Sequence, residues 1–121
     1  MGLHAARLPD VQIDNTGTAS NALTRAELED AIGILLTAPA TLDAETFTIQ
    51  IRRDGASTWV DLQEADIGTA LADVLAPAAD KAQYYDFRRL GISAAHSFRI
   101  FSTGAVAADR AWEANKLYEG I

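Results

Sequence analysis

The chain has 121 residues, nearly half of them apolar and about a fifth charged, a balance that suits one folded domain rather than a disordered chain. Its formal charge of −7 offers no broad cationic face to displace counterions from nucleic acid, and it disfavours anionic membranes. The absence of cysteine excludes disulfides, thiolate zinc sites and a cysteine nucleophile.

The opening residues, MGLHAARLPD, lack an apolar signal segment, and no apolar run reaches bilayer-spanning length, so a soluble, cytoplasmically made protein is expected. Residues 1–23 are rich in small and polar side chains, with only Val11 and Ile13 suggesting a short strand. They read as an extended N-terminal arm that hugs the domain or reaches a neighbour, ahead of a single domain at 24–121.

Residues 24–42 carry two readings. Thr24 and Glu27 fit a capping box, and Leu28, Ala31, Ile32, Leu35 and Leu36 follow the helical period. Ile32, Ile34 and Leu36 also alternate, which makes a strand at 31–37 the competing reading.

The segment 46–63 is the clearest. Phe47, Ile49 and Ile51 alternate with Thr48, Gln50 and Arg52, the period of a half-buried strand. Asp54-Gly55 then supplies a reversal, and Val60 and Leu62 are expected to face the core on the return strand. Trp59 would then point the other way, to a rim or an interface, although an uncertain register leaves core packing open.

Residues 64–80 lean to a short helix or long loop, and 81–87 to a strand. In 93–103, His96, Phe98 and Ile100 share one strand face and Arg99 and Phe101 the other, as in a central strand or an edge buried by a partner. For 110–119, alanine, glutamate and leucine favour helix, while Trp112, Ala114 and Tyr118 can form one strand face.

Chemistry-bearing motifs are scarce. His96 sits in a predicted strand beside Phe98, where a histidine is more often a satisfied structural residue than a base. The carboxylates at Glu27, Glu29 and Asp30, and at Asp61, Glu64 and Asp66, lack calcium-loop spacing, and no phosphate-cradling glycine loop appears. No catalytic residue, cofactor or metal site is therefore expected. Recognition would fall to surface side chains: Trp59, Arg52, Arg53, Tyr84, Tyr85 and Phe101 are the candidates for partner binding. The same aromatic residues pack a core under the plainer reading.

The stretch TAPATLDAETFTIQIRRDGASTWVDLQ (37–63), followed by FRIFSTGAVAADRAWEANKLY (98–118), resembles a family of small virion proteins of tailed bacteriophages. The shared features are a strand ending in Pro-Ala, a strand leading into Asp-Gly, a nearby tryptophan, and a late run carried here by Arg99, Ser102, Gly104, Asp109 and Arg110. The resemblance covers roughly the last two-thirds of the chain, and the segment TRAELEDAIG before it departs from the pattern.

The resemblance implies a mostly β fold, an antiparallel jelly-roll-like β-sandwich with at most one or two short helices. It turns 31–37 and 110–118 towards strand. It implies a non-enzymatic head decoration or cement protein on the outer capsid surface, with the major capsid protein and copies of itself as partners, and neither nucleic acid nor membrane. A carbohydrate-binding sandwich, with a glycan stacked on Trp59, Tyr84 or Tyr85, or a tail or adaptor protein of the virion, is the alternative.

Overall fold

The computed structural model describes residues 2–42, 45–64, 71–93 and 96–120. The chain is mostly β, its strands assembled into antiparallel sheets that pack as a sandwich. In chain order the strands are β1 (Gly2–Arg7), β2 (Val11–Ile13), β3 (Ala31–Thr37), β4 (Phe47–Arg53), β5 (Val60–Asp61), β6 (Gln63–Glu64), β7 (Ala72–Asp73), β8 (Ala82–Asp86), β9 (His96–Ser102) and β10 (Arg110–Gly120). A single turn of helix, α1 (Phe87–Leu90), separates β8 from β9.

The larger sheet runs β1-β10-β3-β8, with β2 also paired to β10; the smaller runs β5-β4-β9, and β6 and β7 form a separate two-stranded ladder. No helix among the described residues is long and apolar enough to cross a membrane.

Both ambiguous segments are strands, and the reasons are visible. The capping box forms: Thr24 N–H donates to Glu27 Oε1 at 3.0 Å, and Glu27 N–H donates back to Thr24 Oγ1 at 3.3 Å. It holds one turn only, because Asp30 adopts a left-handed φ of 63° that ends the helical course just before β3. For β10, ladders on both edges outweigh the helical preference of its alanines and glutamates. The Asp54-Gly55 reversal forms as well: Ala56 N–H donates to Arg53 O at 2.9 Å, and Gly55 takes φ 84°, a conformation open to glycine without Cβ strain.

Residues 2–23 of the expected arm lie on the domain and join both layers. β1 and β2 take successive stretches of the same edge of β10, and Arg7 Nη1 pairs with Glu113 at 2.9 Å. The chain then crosses to the smaller sheet, where Ala19 bridges Phe101 and Leu23 bridges Phe98. Ser20 N–H donates to Ile100 O at 2.9 Å, and Ser20 Oγ accepts from Ile100 N–H at the same distance. The outer edge of β9 is thus closed by the chain's own N-terminal segment.

The core lies between the layers. Val11, Ile13, Ile34, Leu36, Tyr85, Trp112 and Ala114 of the larger sheet meet Phe47, Ile49, Phe98 and Ile100 of the smaller one. Trp112 and Phe47 pack edge to face at 5.1 Å, and the Trp112 indole N–H donates to Pro77 O.

Two expectations need correction. Val60 lies opposite the inward Ile51 but is not buried; it is 54% exposed, because β5 is a two-residue edge strand and burial on the return resumes only at Leu62. Among the described residues of 64–80 there is no helix; the segment instead contributes β7, and 74–76 runs beside the start of β4, with Ile49 N–H donating to Val74 O. Residues 65–70 of that stretch lie outside the described residues.

Burial pushes the Tyr85 phenol well above its ordinary value, and its hydroxyl donates to Leu75 O. The sign follows from linkage. Below about pH 10 the phenol is protonated in both folded and unfolded chains, and above it only the unfolded chain ionises, so stability falls as pH rises. Tyr85→Phe should lower neutral-pH stability by about 1 kcal/mol through the lost hydrogen bond. Its deficit should shrink above about pH 10, at up to about 1.4 kcal/mol per pH unit. Urea unfolding of both proteins across alkaline pH checks this; parallel curves would contradict it.

Candidate functional site

The outer face of the smaller sheet gathers what the sequence scatters. Strand alternation sends Phe47, Ile49 and Ile51 inward, so Thr48, Gln50 and Arg52 of β4 point out. The β9 register sets Phe101 opposite Thr48, Arg99 opposite Gln50 and Ser97 opposite Arg52. Trp59 precedes β5, whose Val60 and Asp61 pair with Ile51 and Gln50, and this places its indole on the same face.

The result is a stack of cations and rings. The Arg52 guanidinium lies 4.7 Å from the Trp59 ring centre and that of Arg99 4.4 Å, while Arg99 also reaches Phe101 at 5.8 Å. Such contacts contribute roughly 0.5–1 kcal/mol each where solvent still reaches them. Below the rings, Gln50 is buried and acts as a relay. Its Nε2 donates to Asp61 Oδ1 at 2.9 Å and its Oε1 accepts from Arg99 Nε at 2.8 Å. Asp61, an acid on this face, is therefore bound to an amide rather than to a guanidinium.

The electrostatics of this face are unbalanced. Arg7, Arg25, Arg88 and Arg89 each have a carboxylate partner, but neither Arg52 nor Arg99 forms an ion pair among the described residues. Partial burial, and then the neighbouring charge of Arg52, hold the Arg99 guanidinium below its ordinary value. Beyond Arg52 the face opens into a cleft of about 520 Å³ lined by Thr24, Arg25, Glu29, Arg52, Asp54 and Ser97. Arg25 and Asp54 face each other there at 3.7 Å, both well exposed.

Of the residues singled out from sequence, Trp59, Arg52 and Phe101 come together on this face. Arg53 ends β4 opposite His96, exposed and outside the stack. Tyr84 belongs to the larger sheet, where it is 41% exposed and its ring lies over Gly33 so closely that a Cβ there would displace it. Tyr85 corrects the expectation of a surface anchor: it is 2% exposed and packs at 6.3 Å from Phe98 in the core. Sequence reasoning missed Arg99 and Gln50 as site residues, although alternation in β9 already set Arg99 beside Phe101.

Elsewhere, His96 Nδ1 accepts from Ser93 N–H at 3.1 Å and lies as close to Ser93 Oγ, a contact at the start of β9. Among the described residues no three His, Asp or Glu side chains are grouped to hold a metal ion. No family model matches the chain, and no curated protein matches it either.

The two tryptophans should differ sharply in their contribution to stability. Trp112, fully buried, should cost about 3–5 kcal/mol on replacement by alanine. Trp59→Ala, at a half-buried outer position, should cost no more than about 2 kcal/mol. Urea unfolding of the two variants decides this, and equal losses would place Trp59 among the structural core residues.

Proposed function

We propose that this protein works by surface recognition, as a non-enzymatic structural component of a tailed-phage virion that docks on the major capsid shell through the outer face of its smaller sheet. The observation that carries the reading is the position of Trp59, outside the core and flanked by Arg52 and Arg99. Tryptophan and arginine are enriched among the residues that dominate the binding energy of protein interfaces, where each covers a large area. Here both guanidiniums are already held against a ring, so the face is ordered before a partner arrives.

Other features support the same reading. A sandwich whose N-terminal segment is paired into both sheets is a stiff module, as a decoration protein needs. The resemblance of 37–63 and 98–118 to small phage virion proteins supplies the capsid as partner. Assembly with further copies of the chain, a jelly-roll-like path and a place on the outer capsid surface belong to the same proposal. A glycan partner is less favoured, because two guanidiniums lying over the indole leave less of its face for a sugar ring.

Capsid shells lacking the protein provide the test, by sedimentation and by shell melting temperature after add-back. Wild type should co-sediment and raise the melting temperature. Trp59→Ala should weaken binding by roughly 10- to 100-fold while keeping its own cooperative unfolding. Wild-type protein that fails to bind shells would remove the virion role, and undiminished binding by Trp59→Ala would remove this face as the contact.

A further inference from the structure

We infer that the outer face of the smaller sheet takes an extended acidic segment of a protein partner, with carboxylates at alternate positions received by Arg52 and Arg99. This rests on the reading of that face as the docking surface and adds the chemistry of what docks there.

Charge is the first argument. In a chain of formal charge −7, two neighbouring guanidiniums without an ion pair to any described carboxylate, set against Asp61 that Gln50 already binds, form a local excess of positive charge. They repel one another, and Arg99 is also partly desolvated. A carboxylate on each relieves both costs at once. Gln50 prepares Arg99 for this role. By accepting from Nε at 2.8 Å it fixes the plane of the guanidinium and leaves the two terminal nitrogens, which bond no described residue, to form a paired contact with a carboxylate.

Spacing is the second argument. Gln50 faces Arg99 and Arg52 faces Ser97, so the two arginines stand on a diagonal of the β4–β9 ladder. Diagonal neighbours in an antiparallel pair are about 7–8 Å apart. Alternate residues of an extended strand point to the same side with a separation of roughly 6.6 Å. An acid–any–acid sequence in extended form therefore presents its carboxylates at the interval of the two arginines. The Trp59 ring holds both guanidiniums close, at 4.7 and 4.4 Å from its centre, and the cleft beyond Arg52 leaves room for the uncharged remainder of the segment.

The size of the cationic spot also argues against a nucleic acid. A polyanion meets the whole acidic surface, whereas a short acidic segment meets only charges within about 8–10 Å.

The test titrates the intact protein with a peptide of alternating glutamate and threonine, followed by tryptophan fluorescence. Trp112 is fully buried and gives a constant background, and Trp59→Phe protein serves as the blank. The glutamate peptide should give a saturable change that weakens at high salt, and the matching glutamine–threonine peptide should give none. Arg52→Gln and Arg99→Gln should each weaken peptide binding about tenfold or more. Arg52, at the rim, keeps the test decisive if the Arg99 variant proves unstable. Failure of the glutamate peptide to bind, equal binding of the glutamine peptide, or equally tight binding of a thymidine oligonucleotide would overturn the inference. Shell binding by the same variants separates the two readings. Loss with Trp59→Ala but not with either glutamine variant leaves the docking face standing and removes the acidic segment. No loss with any of them removes the docking face itself.

Discussion

The eleven residues of β10 pair along both edges, with β2 and then β1 on one side and β3 on the other, and its Trp112 meets Phe47 across the core. Remove that strand and the larger sheet loses the member that joins β1 and β2 to β3. The smaller sheet loses the ring against which Phe47 packs. The outer face of the smaller sheet depends on the same contact at one remove. Arg52, Arg99 and Trp59 keep their relative positions because β4 and β9 are pressed flat against the layer behind them. The stiffness of the candidate site is thus a property of packing on the opposite side of its own sheet.

The parts of this architecture legible in the sequence are those set by near neighbours. The alternation from Phe47 to Arg53, the Asp54-Gly55 reversal and the β8 strand all depend on local pattern, and all are present. The capping box at Thr24 and Glu27 is also present, but it governs one turn. Whether 31–37 and 110–118 become helix or strand is decided by partners far along the chain, so local preference alone leaves both open. The same limit applies to the two adjacent tyrosines. Alternation requires Tyr84 and Tyr85 to face opposite ways, yet nothing nearby says which one enters the core.

The candidate site was half legible for a related reason. Trp59, Arg52 and Phe101 stand out by residue type, whereas Arg99 and Gln50 join them only through the register of β4 with β9, a pairing of residues almost fifty positions apart. Val60 shows the complementary failure. Its apolar side chain and its alternation with Trp59 assign it inward, but burial also requires something opposite to cover it, and β5 lies at an edge.

The crossing of residues 2–23 from one sheet to the other carries a consequence for how the molecule comes into being. β1 and β2 are early segments, yet their hydrogen-bond partner is β10, roughly a hundred residues later, and residues 18–23 wait for β9. At ribosomal rates of about 5–20 residues per second, the early strands spend on the order of 5–20 s without their ladder. Contacts of such long separation also slow the search for the native pairing. During that interval the edge of β1 has no protection beyond its polar and small residues. Apart from Leu3, the one large apolar side chain exposed in β1, that strand carries small and polar residues, which suits a segment that must stay unpaired until β10 arrives.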